Sequence, residues 1–244
     1  MTGPTPLLDF FRRGEVARDV RLLAAQGAIA PRAHEQIAIL VLLLEDSDPD
    51  IRRTADETLN RIPRAALAAF LGRSDVPIGL REFFGDRGIF PDEIPTIEWN
   101  EDVDAPLIDA GGPAPDLLEE DDDEASRKGS AQELAAMSFP DRLKAAIKGS
   151  REVRAILIRD SNKMIAAAVL SSPRVTEQEV ESFARMANVG EDVLRVIGNH
   201  RGWMKNYGVV IGLAKNPKTP LSMSMNLMAR LHDRDLAMLS VDRN

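Results

Sequence analysis

Residues 91–124 have the sequence PDEIPTIEWNEDVDAPLIDAGGPAPDLLEEDDDE, and this stretch decides how the chain is organised. It contains fourteen Asp or Glu residues and no Lys or Arg. Folding would bring this like charge together around few apolar side chains, so the stretch is predicted to stay unstructured. The predicted domains are therefore an N-terminal domain at 1–90, an acidic disordered linker at 91–130, and a C-terminal domain at 131–244.

The composition predicts an all-α fold. Hydrophobic residues make up 44% of the 244 residues but aromatic residues only 5%, so the core must consist of aliphatic side chains and Met. Long alternating runs of β-branched residues are missing, which disfavours strands. The longest apolar run, residues 37–44, is shorter than the roughly 20 residues that span a bilayer. The N-terminus lacks the basic and apolar regions of a secretory signal. We therefore expect a cytoplasmic protein without membrane insertion.

The net charge of −8 is unevenly distributed along the chain. Residues 1–90 have a net charge of −1, residues 91–124 of −14, and residues 125–244 of +7. Such opposite charges on one chain attract each other at low salt. We therefore expect the acidic linker to contact a basic face of the C-terminal domain. The expected receiving residues are Arg195, Arg201, Lys205, Lys215 and Lys218.

A junction between two helices is predicted at residues 46–55, DSDPDIRRTA. Asp48 can cap the second helix, and Pro49 suits its first position because proline lacks the N–H group that would be left unbonded. This stretch resembles the D-x-D-P-x-[IV]-R-x-x-A junction of HEAT-like repeats. The resemblance implies that Arg52 bonds back to the preceding turn, and that helical hairpins stack as an α-solenoid.

An internal repeat is predicted in the C-terminal domain. Residues 164–176, MIAAAVLSSPRVT, are similar to residues 208–219, GVVIGLAKNPKT. At the end of the first copy, Thr176 and the following Glu179 have the spacing of a capping box. A helix that ends in Ser/Asn-Pro before a Thr-capped helix resembles the bacterial leucine-rich-repeat variants and their HEAT-like relatives. That resemblance also implies an α-solenoid, in which each repeat packs against its neighbours.

No motif predicts catalysis, a cofactor or a metal site. The chain contains no cysteine, and His34, His200 and His232 each lack a second ligand at metal-binding spacing. Neither of the Gly-rich phosphate-binding motifs occurs. The acidic run at 119–124 lacks the Gly that a calcium loop requires. We therefore predict a protein that is not an enzyme.

Residues 199–207, NHRGWMKNY, contain the densest cluster of side chains typical of protein interfaces. A packing role is the alternative, because Trp203 and Tyr207 lie four apart and would share one face of a helix. In the acidic linker, Trp99 ends an apolar series at 94–99 that is typical of docking segments. The candidate partner-binding residues are Trp99, Arg195, Arg201, Trp203, Lys205, Tyr207, Lys215 and Lys218.

The function that these patterns predict is non-catalytic protein–protein scaffolding, with the acidic linker regulating access to the basic face. The alternative is nucleic-acid binding or DNA repair, since some HEAT-like proteins resemble alkylpurine DNA glycosylases. Such an enzyme needs a basic groove with aromatic residues, and residues 195–218 contain basic and aromatic side chains of this kind. We favour the scaffold, because the chain is acidic and its own linker would compete with phosphates for the basic residues.

Overall fold

The fold is described here from a computed structural model, which covers residues 6–29, 31–92, 105–110 and 131–241. These residues form helices and no strand, so the predicted all-α class is confirmed. None of the helices in this part of the chain has the length and apolar character needed to span a bilayer. Fourteen α-helices have both ends among these residues: α1 Pro6–Arg12, α2 Arg18–Ala25, α3 Ala33–Leu43, α4 Pro49–Arg61, α5 Arg64–Leu71, α6 Ile78–Gly85, α7 Phe139–Lys148, α8 Arg151–Leu157, α9 Lys163–Ser171, α10 Glu177–Arg185, α11 Glu191–Asn199, α12 Tyr207–Lys215, α13 Leu221–Met228 and α14 Asp233–Val241. Residues 131–136 are also helical.

The start of α4 has the predicted geometry. The Asp48 carboxylate accepts a hydrogen bond from the Asp50 N–H at 2.9 Å, and Pro49 occupies the first turn. Arg52 donates to the carbonyl of Asp46 at 2.6 Å, which is the bond to the preceding turn that the HEAT-like resemblance implies. Arg21 of α2 pairs with the Asp46 carboxylate at 2.7 Å. The junction is therefore fixed both to its own helix and to α2.

A second junction, before α9, repeats this arrangement. Asp160 accepts from the Asn162 N–H at 2.8 Å, and Asn162 accepts from the Met164 N–H at 2.9 Å. Arg142 of α7 pairs with Asp160 at 2.8 Å, as Arg21 does with Asp46 in the first junction. In both places an arginine two helices earlier holds the turn. The sequence did not predict this likeness, because Asn and Lys stand where the first junction has Asp and Pro.

The predicted internal repeat has a structural counterpart in α9 and α12. Each helix begins at an asparagine cap, Asn162 or Asn206, whose side chain accepts the N–H two residues later. Each ends before a polar side chain that bonds a carbonyl near the end of an earlier helix. Ser172 donates to Ile147 at 2.6 Å, and Asn216 donates to a carbonyl of α10 at 2.8 Å. The two copies therefore use equivalent positions for the same bonds.

The two halves of the chain contact each other directly. Helix α1 packs against α9, and buried apolar side chains from both halves belong to one hydrophobic cluster. Leu7 and Leu8 of α1, along with Ile165 of α9, are at most 2% exposed. Across the same contact, Ser171 donates to the Glu35 carboxylate at 3.3 Å. The domain boundaries at 90 and 131 stay a prediction.

The predicted single helix through Trp203 and Tyr207 is wrong. A 3₁₀ turn covers Trp203–Lys205, and α12 begins only at Tyr207. Asn206 interrupts the helix because its side chain bonds the Gly208 N–H at 2.8 Å, so the residue acts as a cap. Trp203 and Tyr207 therefore belong to different elements and do not share a helical face.

Candidate functional site

Two of the predicted binding residues line the same groove. Arg195 of α11 and Lys218, just before α13, border a groove of about 660 Å³. Pro217, Pro220 and Leu221 complete much of its wall. Nothing local in the sequence brings Arg195 and Lys218 together; they meet because α11 and the α12–α13 turn are neighbours in the fold. We call this surface the α13 groove.

The positive charge of the α13 groove comes mainly from Lys218. Arg195 forms an ion pair with Glu191 one turn earlier at 2.5 Å, with about half of each side chain exposed. Lys218 is exposed and makes no ion pair with the described part of the chain. Its backbone N–H donates to the Asn216 side chain at 3.0 Å, which fixes the turn that presents the lysine.

An apolar strip continues from the groove along α13. Leu221 is 78% exposed and Met225 is 64% exposed, and one helical turn separates them. Leu227, on the other face, is 4% exposed and holds the helix against the core. Exposed apolar residues beside basic side chains can receive an amphipathic segment that carries acidic residues. The sequence did not predict this strip, because Leu and Met at helical spacing are equally typical of a core.

Trp203 is packed on a histidine rather than presented to solvent. Its ring stacks on His200 with centroids 3.9 Å apart, and its backbone N–H donates to His200 Nδ1 at 3.0 Å. Burial, aided by the nearby charge of Arg32, lowers the pKa of His200 to about 4. His200 is therefore neutral near pH 7 and can accept this hydrogen bond. The geometry supports the packing interpretation of Trp203.

Tyr207 holds α14 against α12. Its hydroxyl donates to Asp235 at 2.5 Å and accepts from the His232 N–H at 3.1 Å. Its ring stacks on His232 with centroids 4.2 Å apart. The bond to the Asp235 carboxylate raises the pKa of Tyr207. The aromatic ring and the hydroxyl group of Tyr207 therefore both contact other residues of the chain.

The other predicted basic residues do not join the groove. Arg201, Lys205 and Lys215 are exposed, and none forms an ion pair with the described part of the chain. None of the three is among the residues that line the α13 groove. Trp99 lies outside the described residues.

The described piece of the acidic linker, residues 105–110, lies at a different place from the predicted one. Leu107 and Ile108 bond through their backbone to Gln36 of α3, and Asp109 pairs with Lys148 at the end of α7. Lys148 does belong to the C-terminal half, but it is not among the expected receiving residues. Most of the linker lies outside the described residues, so the predicted contact with the basic face is not tested there.

Two of the three histidines, His200 and His232, stack on aromatic rings. In the part of the chain that the structure describes, no three His, Asp or Glu side chains converge as metal ligands. That the protein is not an enzyme stays a prediction.

Comparison with known proteins gives no further identification: no protein-family model, curated protein or solved structure matches the chain. The resemblance to HEAT-like repeats and leucine-rich-repeat variants therefore stays a prediction.

Proposed function

We propose that the protein is a non-catalytic helical-repeat adaptor, with a HEAT-like arrangement of its helices, that binds another protein at the α13 groove. The observation that carries this proposal is the pairing of exposed Leu221 and Met225 with exposed Lys218. The partner segment is expected to be amphipathic and acidic, with apolar residues spaced to match one turn of α13.

The apolar strip supplies most of the expected affinity. Fully burying a Leu or Met side chain contributes about 1.5–3 kcal/mol, whereas an exposed ion pair contributes about 0–1 kcal/mol. Lys218 and Arg195 therefore select an acidic partner and speed its association more than they tighten the complex. Binding is expected to weaken only modestly as salt rises.

No contact among the residues that the structure describes favours the nucleic-acid alternative. Sequence-tolerant binding of single strands relies on aromatic rings that stack bases. Trp203 and Tyr207 already stack on His200 and His232. The exposed Arg201, Lys205 and Lys215 remain the basis of this alternative, and it predicts DNA affinity that falls steeply with salt.

A display library of random peptides, selected on the full chain, tests the proposal. Selected peptides should be enriched in Asp or Glu and in apolar residues three or four positions apart. The enrichment should vanish with the variant Leu221→Asp/Met225→Asp and lose its acidic bias with Lys218→Glu. Ile78→Asp, at a residue 69% exposed on α6, is the matched control and should change nothing.

Two results would contradict the adaptor. One is a library that yields no enriched pattern, or the same pattern with the Leu221→Asp/Met225→Asp variant. The other is tight binding of a labelled single-stranded DNA that disappears at moderate salt and depends on Arg201, Lys205 and Lys215, which would establish the nucleic-acid alternative instead.

A further inference from the structure

A buried glutamine holds a piece of the acidic linker through its backbone. Gln36 is 1% exposed, and its Oε1 accepts hydrogen bonds from the N–H groups of Leu107 at 2.7 Å and Ile108 at 3.1 Å. Its Nε2 donates to the Ile108 carbonyl. A buried primary amide is costly unless its donors and acceptor are bonded. Gln36 bonds both its oxygen and its amide nitrogen to a segment about seventy residues away in sequence.

The side chain of Ile108 lies directly against Gly27. Gly27 adopts φ +78°, a conformation that glycine adopts readily. A Cβ atom at Gly27 would lie 3.2 Å from Ile108 Cγ2 and 3.4 Å from Thr58 Cγ2. The glycine therefore provides both the turn and the space that let Ile108 approach. The Ala110 N–H donates to the Gly27 carbonyl at 3.4 Å, which adds a second backbone contact.

A charge pair fixes the direction of the segment. Both carboxylate oxygens of Asp109 contact Lys148 Nζ, at 2.6 and 2.7 Å. The Lys148 side chain is 19% exposed and the Asp109 side chain 48% exposed, so the lysine lies mostly within the protein surface and the aspartate faces solvent. The contacts therefore define an order of groups: two backbone N–H groups, an apolar side chain and then a carboxylate.

We propose that Gly27, Gln36, Thr58 and Lys148 form a peptide-recognition site, called here the Gln36 site. The recognised ligand is a non-helical segment with two apolar residues followed by an acidic one, and this chain occupies the site with its own residues 107–109. A partner protein binds there by presenting the same pattern and displacing the internal segment. This site is separate from the α13 groove and does not depend on the function proposed for it.

Displacement has a predictable cost. A segment joined by a short flexible linker competes at an effective concentration in the millimolar range. A free peptide of equal intrinsic affinity therefore binds the intact chain weakly and binds a vacated site well. This difference separates a recognition site from ordinary packing of a loop.

The test uses full-length protein with the site vacated by Ile108→Pro/Asp109→Ser, which removes an N–H donor, the seated side chain and the carboxylate. The probe is a fluorescein-labelled peptide of residues 103–112, measured by anisotropy. We expect saturable binding to the vacated variant, and at least about tenfold weaker binding to the wild type. Methylation of the peptide nitrogen at Ile108 should weaken binding about tenfold or more, whereas methylation at Ala105, which makes no such bond, should not.

Circular dichroism measures whether the vacated variant is folded. If it is not, hydrogen exchange in the wild type replaces it, since excess unlabelled peptide should accelerate exchange of the Leu107 and Ile108 amides. The proposal is overturned if a folded vacated variant does not bind the peptide, or binds the Ile108-methylated peptide equally well. In the exchange experiment, unchanged rates at Leu107 and Ile108 would overturn it.

Discussion

Replacing Arg154 by Ala should cause a large loss of stability. Arg154 and Glu179 form a buried ion pair, with Arg154 Nε 2.9 Å from Glu179 Oε1 and both residues at most 4% exposed. The guanidinium also donates to the Gly149 carbonyl at 2.8 Å, at the end of α7. The other oxygen of Glu179 accepts the Thr176 N–H at 3.0 Å and so completes the capping box of α10. One pair therefore joins α7, α8 and α10.

The expected magnitude follows from burial. Removing one partner of a buried ion pair leaves an uncompensated charge, which destabilises a protein by about 3–5 kcal/mol. Arg195→Ala is the matched control, because Arg195 pairs with Glu191 on an exposed helix face. Such an i, i+4 pair contributes only about 0.3–0.5 kcal/mol. The free energy of unfolding of a domain is only about 5–15 kcal/mol, so the Arg154 variant should lose a large share of its stability.

Urea unfolding monitored by far-ultraviolet circular dichroism measures both variants. Arg154→Met/Glu179→Gln should recover part of the loss, because glutamine leaves no buried charge and its oxygen can still accept the Thr176 N–H. The account of this pair is refuted if Arg154→Ala and Arg195→Ala reduce the free energy of unfolding by similar amounts.

Three further predictions concern local packing, capping and pH. Gly149→Ala places a Cβ against the backbone carbonyl oxygen of Ala145 and should destabilise by about 1–3 kcal/mol, whereas the Cβ of Gly190→Ala meets nothing within 4 Å; equal urea midpoints for the two variants would contradict this. Asn162→Ala removes the cap of α9 and should cost about 1 kcal/mol in the same assay, and an unchanged midpoint would show that the cap is dispensable. His200 has a pKa near 4 when folded and 6.5 as its reference, so stability should be full above pH 6.5 and fall as pH decreases towards 4. His200→Gln should reduce this loss of stability at low pH, and a pH profile of the melting temperature equal to that of the wild type would contradict the prediction.

Local patterns predicted the caps well, because the bonded partners lie within a few residues. Asp48 with Asp50 and Thr176 with Glu179 are such cases, and both are confirmed. The break at Asn206 was missed although its signal is also local, since an Asn side chain can cap a new helix as readily as it can lie within one.

Contacts between distant parts of the chain were not predictable in the same way. Arg195 and Lys218 were both expected to bind a partner, but their shared groove depends on how α11 packs against the α12–α13 turn. Leu107, which lies inside the acidic linker, donates its N–H to Gln36, although the charge of the linker predicted an unstructured segment. Charge density describes a whole stretch of sequence, whereas this contact depends on residues 107–109 and the buried side-chain amide of Gln36.

The adaptor proposal is tested most directly by a photo-reactive amino acid at Met225, one of the two exposed residues of the apolar strip. The protein carrying it is irradiated in living cells, and the attached peptide is sequenced. We expect one dominant crosslinked protein, joined through an acidic amphipathic segment, and loss of the adduct in a Lys218→Glu/Leu221→Asp background. A photo-reactive group at Ile78 should not capture this protein. Equal capture at Met225 and Ile78, or an adduct unaffected by the two groove substitutions, would contradict the proposed binding surface.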